Sequence, residues 1–310
     1  MTTRSSTSRC AEAVLLAVVL LAGTRASAQA CCAGASLLSP ARLTPHEDAL
    51  VGVDVKGSLQ AGSLDARGVF AGNASGSGAL DGVLTLHHTM RLGESGQLTW
   101  SLPLDVGARW VPGLSEGAVS LGDLVVSARH DFLLAGESAS RPGSALLFSV
   151  TAPTGVPPEQ SHLPLGADAV GTGAWQLSVG GAVEQRFGSL TLQGMALAHG
   201  KLPRTVGAVT QVFGPGLSLG AAVAWTFESE LALALSLASS GTLPSWLTDE
   251  GGALRWRPDT ARWRNSLSFA LATPIDDRWR LQAAVSGTLP FGFNELGAVT
   301  LSVLLMRTWS

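Results

Sequence analysis

Across residues 98–110 the chain keeps a strict two-residue period. Leu98, Trp100, Leu102, Leu104, Val106, Ala108 and Trp110 alternate with Thr99, Ser101, Pro103, Asp105, Gly107 and Arg109. Successive side chains of a strand point to opposite faces, so this segment has one oily face and one polar face. Its length constrains the fold more than its pattern does. A strand of a soluble sandwich runs about 5 to 6 residues, whereas a tilted strand that crosses a bilayer needs about 9 to 11.

The same period recurs along the chain. Val51, Val53 and Val55 stand against Asp54, Lys56 and Ser58, and Leu84, Leu86, Met90 and Leu92 against Thr85, His87, Thr89 and Arg91. Trp175, Leu177, Val179, Gly181, Val183 and Phe187 share one parity, with Gln176, Ser178, Gly180, Glu184 and Arg186 on the other. Phe187-Gly188-Ser189 then turns the chain into Leu190 and Leu192, which alternate with Thr191 and Gln193. Residues 122–134, 143–154, 217–227, 231–237, 263–273, 279–289 and 296–309 complete a set of about twelve strands with no helix between them. Such a chain is a meander of antiparallel neighbours. The connections after the first, fifth, seventh and ninth strands are long, and those after the second, sixth, eighth and tenth are short, as in outer-membrane barrels with short periplasmic turns and longer external loops.

Aromatic positions decide which face looks outward. With the short turns periplasmic, Trp100, Phe187, Trp225, Trp279 and Trp309 fall at the lower strand ends and Trp110, Trp175 and Trp263 at the upper ends, all on the apolar parity. Two aromatic girdles at the two membrane interfaces follow, with Leu, Val and Ala between them. The expected fold is therefore all-β: a transmembrane antiparallel up-and-down β-barrel of about 12 strands in the bacterial outer membrane. The polar parity then faces the lumen, with His87, Arg91, Asp105, Arg109, Arg129, Asp131, Gln176, Glu184, Arg186, Gln193, Arg264, Arg280 and Gln282 as its expected lining. Arginines outnumber carboxylates in that set, which favours anions slightly. A barrel near twelve strands can be filled by side chains or leave a narrow passage.

The ends of the chain fit this reading. Arg4 and Arg9 precede an apolar run at 13–23, and small-x-small sites follow at Ala26-Ser27-Ala28 and Ala28-Gln29-Ala30, so residues 1–30 are expected to be a secretory signal peptide. Residues 31–48 then form an irregular periplasmic lead-in with Pro40 and Pro45, and 49–310 form the barrel. Cys31 and Cys32 open the mature chain, as a lipidated residue, an oxidised pair or a free thiol tail. A net charge of -3 and 14% charged residues with 46% hydrophobic ones give no basic surface for nucleic acid. The expected surroundings are outer-membrane lipid, a small-molecule solute and the barrel-assembly machinery. At the C-terminus Arg307 interrupts the outward series Leu301, Val303, Leu305, and Ser310 follows Trp309.

From Gly122-Asp123-Leu124 onward the order of features resembles the phenol meta-degradation family of outer-membrane channels. The matching stretches are Ala152-Pro153-Thr154-Gly155, Leu165-Gly166 through Gly171-Thr172-Gly173-Ala174-Trp175, Phe187-Gly188, the strand from Leu217, and 276–290 with its Leu289-Pro290 ending. The resemblance spans roughly the last three fifths of the chain. It implies passive uptake of small hydrophobic or aromatic molecules, and because its motifs mark strand ends it carries over no binding residue.

Chemistry finds little support in the sequence. Gly216-Leu217-Ser218-Leu219-Gly220 matches a nucleophile elbow, but that motif needs a strand, a sharp turn and a helix, and here the alternation runs through Ser218 to Phe227. His87 and His88 are neighbours on a strand, so they point to opposite faces and do not chelate one ion. No enzyme, cofactor or metal site is expected. The alternatives to a channel are a plugged or structural surface barrel and a membrane-embedded hydrolase drawing on Ser218 or His162.

Overall fold

The computed structural model describes residues 42–44, 46–135, 141–248 and 252–310. The expected signal peptide, Cys31, Cys32 and most of the lead-in lie outside the described residues. In chain order the strands are β1 (Ala49–Leu64), β2 (Phe70–Gly72), β3 (Gly78–Leu92), β4 (Gly96–Val111), β5 (Leu114–Leu121), β6 (Leu124–Leu133) and β7 (Gly143–Ala152). There follow β8 (Gln176–Phe187), β9 (Leu190–Lys201), β10 (Arg204–Val206), β11 (Val209–Val212), β12 (Gly216–Thr226) and β13 (Ala232–Thr242). The last are β14 (Ser245–Thr248), β15 (Leu254–Arg257), β16 (Arg262–Pro274), β17 (Trp279–Thr288) and β18 (Glu295–Trp309).

Twelve of these, β1, β3, β4, β6, β7, β8, β9, β12, β13, β16, β17 and β18, pair in sequence as antiparallel neighbours. The ring closes where β18 pairs with β1, from Ala49 opposite Trp309 to Leu64 opposite Glu295. Closure removes both sheet edges, which is the condition for a sheet to sit in hydrocarbon with every backbone group paired.

Alternation sets the sidedness, as β8 illustrates. Leu177, Val179 and Val183 are 44%, 52% and 53% exposed, while Ser178 and Glu184 on the opposite parity are 7% and 6% exposed. A soluble protein would do the reverse, burying the aliphatic residues and wetting the glutamate. Repeated around the ring, this makes a continuous apolar exterior far larger than the few hundred Å² patches of soluble monomers.

Short turns close one end of the barrel. In the β8–β9 turn Gly188 holds φ +59, a left-handed conformation open to glycine without steric cost. Long connections close the other end, and they are more ordered than sequence reasoning expected. β2 folds back on β1, and β5 folds back on β4. The connections that follow β9 and β13 together build a separate four-stranded sheet in the order β10, β11, β14, β15, with the Trp246 and Trp256 rings 4.6 Å apart. Such short strands pair in loops without a long alternating signature, so periodicity did not reveal them.

Candidate functional site: the barrel interior

Both ends of the barrel sheet, the start of β1 and the finish of β18, lie at the short-turn end. Residues 42–44 and 46–48 precede β1 there, and Arg42, Leu43 and Glu47 turn inward. Leu43 is 2% exposed and packs with Leu50, Leu304 and Met306 on the inner faces of β1 and β18. Its backbone N–H donates to Gln97 Oε1 at 3.0 Å, and Gln97 Nε2 returns a bond to the Leu43 carbonyl at 3.4 Å. Arg42 forms an ion pair with Glu184 on β8 and lies 3.8 Å from Asp131 on β6. Glu47 accepts the Thr44 N–H at 2.7 Å and pairs with Arg280 on β17, while Arg91 Nε donates to the Glu47 carbonyl at 2.8 Å. The segment is thus tied to β3, β4, β6, β8 and β17, and lies across the interior at that end.

These contacts place most of the expected lining residues. His87, Asp131, Glu184 and Gln282 are buried, and His87 Nδ1 lies 2.8 Å from Ser101 Oγ. Gln193 donates to Glu184 at 3.2 Å. Gln176 and Asp105 are half-buried on the same inner parity. The arginines expected to favour anions are mostly neutralised. Arg109 pairs with Asp81 at 2.6 Å, Arg129 with Asp131 at 2.7 Å, and Arg280 with Glu47. Arg186 turns down to the Gly188 carbonyl at the short-turn rim. Arg264 is the one of the six whose side chain, among the described residues, makes neither an ion pair nor a hydrogen bond, its backbone pairing opposite Ser240.

Composition had concealed a second inner surface. Ala224, Ala232, Ala234 and Ala270 are 0 to 4% exposed and pack as one cluster, with Ala272 and Ala284 against it. Toward the short-turn end, the inner faces of β12, β13 and β16 are therefore lined by methyl groups, bordered on β17 by Gln282 and the Glu47-paired Arg280, while β4, β6 and β8 carry Gln97, Arg129, Asp131 and Glu184. Alanine sits on either parity without a clear signal, which is why alternation of large residues missed this wall.

The wall itself is interrupted. β7 ends at Ala152, opposite Leu124, while β5 continues beside β4 above that level and, among the described residues, pairs with no strand on its other edge. The connection from 153 to 175 fills this level from the inside. Its Ala167 carbonyl lies so close to Gly107 on β4 that a Cβ there would come within 2.2 Å of it, so only glycine admits the approach. Leu165 N–H donates to Glu116 Oε2 at 2.8 Å. Asp123, at the break between β5 and β6, holds both ends of the connection: Oδ1 accepts Gly155 N–H at 3.0 Å, and Oδ2 accepts Thr172 N–H and Oγ1 at 2.9 and 3.1 Å. Within it, Ser161 O–H and His162 N–H both donate to Asp168, and these bonds hold its carboxyl below the ordinary range.

The aromatic residues expected to form girdles fall on the outer parity. Trp175, Phe187, Trp225 and Trp309 are exposed, and Trp100 lies beside His88 with ring centroids 5.4 Å apart. Trp110 and Trp263 stand opposite Gly78 and Gly241, where glycine leaves room for the ring. Arg307 fits the outward series after all, since its guanidinium lies 5.5 Å from the Trp279 ring and 5.1 Å from the Trp309 ring. Ser218 sits inside the unbroken strand β12, which removes the elbow, and His162 belongs to the inward connection.

Comparison with solved structures gives the same architecture. The COG4313 outer membrane channel from Pseudomonas putida F1 superposes with a TM-score of 0.68 over 87% of this chain and 98% of its own, at 13% identity. The transport unit of the autotransporter AIDA-I from Escherichia coli follows with a TM-score of 0.51 over 89% and 95%, at 9% identity. The chain has the fold of an outer-membrane β-barrel. No family model and no curated protein matches the sequence.

Proposed function

We propose that this barrel is an uptake channel for small hydrophobic molecules, aromatic compounds among them. The observation that carries the reading is the division of the interior: ion pairs and residues 42–48 obstruct the axial route at the short-turn end, while one inner wall is alanine. A pore for hydrophilic solutes gains nothing from a methyl-lined wall, whereas an apolar solute leaves water favourably on reaching it, at about 25 cal/mol per Å² removed. The break beside β5 supports the same reading, because it offers an apolar solute a way between the interior and the acyl chains without passing Arg42 and Glu184. The outer-membrane channel from Pseudomonas putida F1 shares the fold over nearly its whole length.

The test is uptake in vesicles carrying the purified barrel. An uncharged aromatic such as toluene should enter faster than into empty vesicles, and a sugar of similar size should not. A second reading, a structural barrel without transport, draws on the ties that hold residues 42–48 in place. It predicts that neither solute enters faster, including after those ties are cut by substitution.

A further inference from the structure

We infer that the inner wall at the long-loop end holds a binding site for the carboxylate of amphipathic organic acids, formed by Lys201, Arg262 and Arg264 beside the Phe213 ring; the inference rests on the uptake reading above.

Register places these three cations on the inner face. Arg262 and Arg264 stand opposite Thr242 and Ser240, and Trp263 between them faces out opposite Gly241. Lys201 stands opposite Gln176, on the parity of the buried Ser178 and Thr191. From β9 through β12 and β13 to β16 is three strand spacings of about 4.8 Å, a distance that lysine and arginine side chains span between them. Arg262 and Arg204 are both near enough to act on the Lys201 ammonium.

What marks the cluster is that its members make no close ion pair. Nearby Arg204 pairs with Glu159 at 2.7 Å and Arg257 with Asp259 at 2.8 Å, and in the lumen Arg109, Arg129 and Arg280 are paired. Among the described residues, Lys201, Arg262 and Arg264 make no ion pair. Asp123 is the acid that acts on Lys201, from beyond ion-pair distance, while its oxygens accept the Gly155 and Thr172 N–H groups. Like charges gathered on a wall of low dielectric repel, and an anion between them relieves that repulsion.

The surroundings specify more than charge. Lys201 Nζ lies 5.4 Å and the Arg204 guanidinium 5.7 Å from the Phe213 centroid. Toward the short-turn end, the inner parity of β9 continues through His199, Leu197 and Met195, with Ser218 and Gly220 of β12 opposite the last two, and the alanine cluster begins further down, at Ala224 opposite Thr191. A cationic rim above an apolar track suits a molecule with a carboxylate at one end and a hydrocarbon chain or ring at the other. Inorganic phosphate and sugar acids carry the charge without the body.

Calorimetric titration of the full barrel in lipid nanodiscs tests this with octanoate, 1-octanol, octylammonium and inorganic phosphate. Octanoate should bind at least about tenfold more tightly than the other three, a difference of roughly 1.4 kcal/mol. The K201Q/R262Q/R264Q variant should bind octanoate about tenfold more weakly and lose its preference over 1-octanol, while retaining the heat-modifiable gel migration of an intact barrel. Equal binding of octanoate and 1-octanol, phosphate binding as tight as octanoate, or an unchanged preference in the variant overturns the inference. Failure of the uptake reading shows separately, as toluene entering wild-type vesicles no faster than empty ones, because octanoate binding is read without transport.

Discussion

Arg42, seven residues before the first strand, is ion-paired with Glu184 on β8, 142 residues further along the chain. Side chains of both are about nine-tenths buried. A buried charge whose partner is removed is costly, by about 3 to 5 kcal/mol, so this contact and the Glu47–Arg280 pair oppose withdrawal of residues 42–48 from the interior.

Cutting both ties should therefore open the short-turn end. The R42A/E47A variant is expected to show a single-channel conductance in planar bilayers several-fold above wild type, with more frequent open events. Conductance equal to wild type would mean that Leu43, packed on Leu50, Leu304 and Met306, holds the segment without the charges.

Asp123 occupies one break in the sheet and receives both ends of the connection 153–175. Hydrogen bonds to a charged acceptor contribute about 1.5 to 3 kcal/mol each. D123A should release the connection and make it cleavable by added protease at the long-loop end, with the barrel strands still protected. D123N keeps one carbonyl acceptor and should fall between. Mass analysis of the fragments gives the cleavage sites, and cuts confined to other loops would contradict the latch.

The twelve barrel strands and their sidedness were legible because lipid imposes a simple rule, apolar outside and polar inside with period two, and the rule is written in residues such as Leu177, Ser178 and Val179. The interior was less so. Arg42 and Glu47 lie in a segment without periodicity, and nothing local says that it enters the barrel. The arginines were visible one by one, but their partners Asp81 and Asp131 come from registers between strands or from two positions along the same strand. Asp123 stood out only as part of Gly122-Asp123-Leu124, a marker of a strand start, and its three bonds reach 32 and 49 residues onward. Charge counting therefore overstated the free positive charge, since pairing is a property of the fold.

Acid should loosen the same connection at Asp168. The Ser161 hydroxyl, then the His162 amide, hold the Asp168 carboxyl below its ordinary value. A group depressed in this way adds stability that is present above the unfolded carboxylate pKa of about 3.9 and is lost as pH falls through the lowered folded value. Protease sensitivity within 161–168 should thus rise only below about pH 4. S161A, which removes the first of these donors, should raise the Asp168 pKa and move that onset to higher pH. An onset identical in wild type and S161A would separate the connection from Asp168.

Sidedness itself can be read at two adjacent residues of β13. Leu237 is 48% exposed on the outer parity, and Ser236 is 4% exposed on the inner one. An arginine at the bilayer midplane of a barrel costs about 2 to 4 kcal/mol on the lipid face, because the guanidinium is taken out of water with no partner. L237R should therefore destabilise the barrel by that amount in urea titrations of vesicle-embedded protein, whereas L237A should lose only a fraction of it. S236A, which exchanges a hydroxyl for a methyl beside Ala234 and Ala270, should stay within about 1 kcal/mol of wild type, the net worth of a typical hydrogen bond. Were L237R as stable as wild type, the outer face of β13 would be meeting water, and the assignment of that face to lipid would fall.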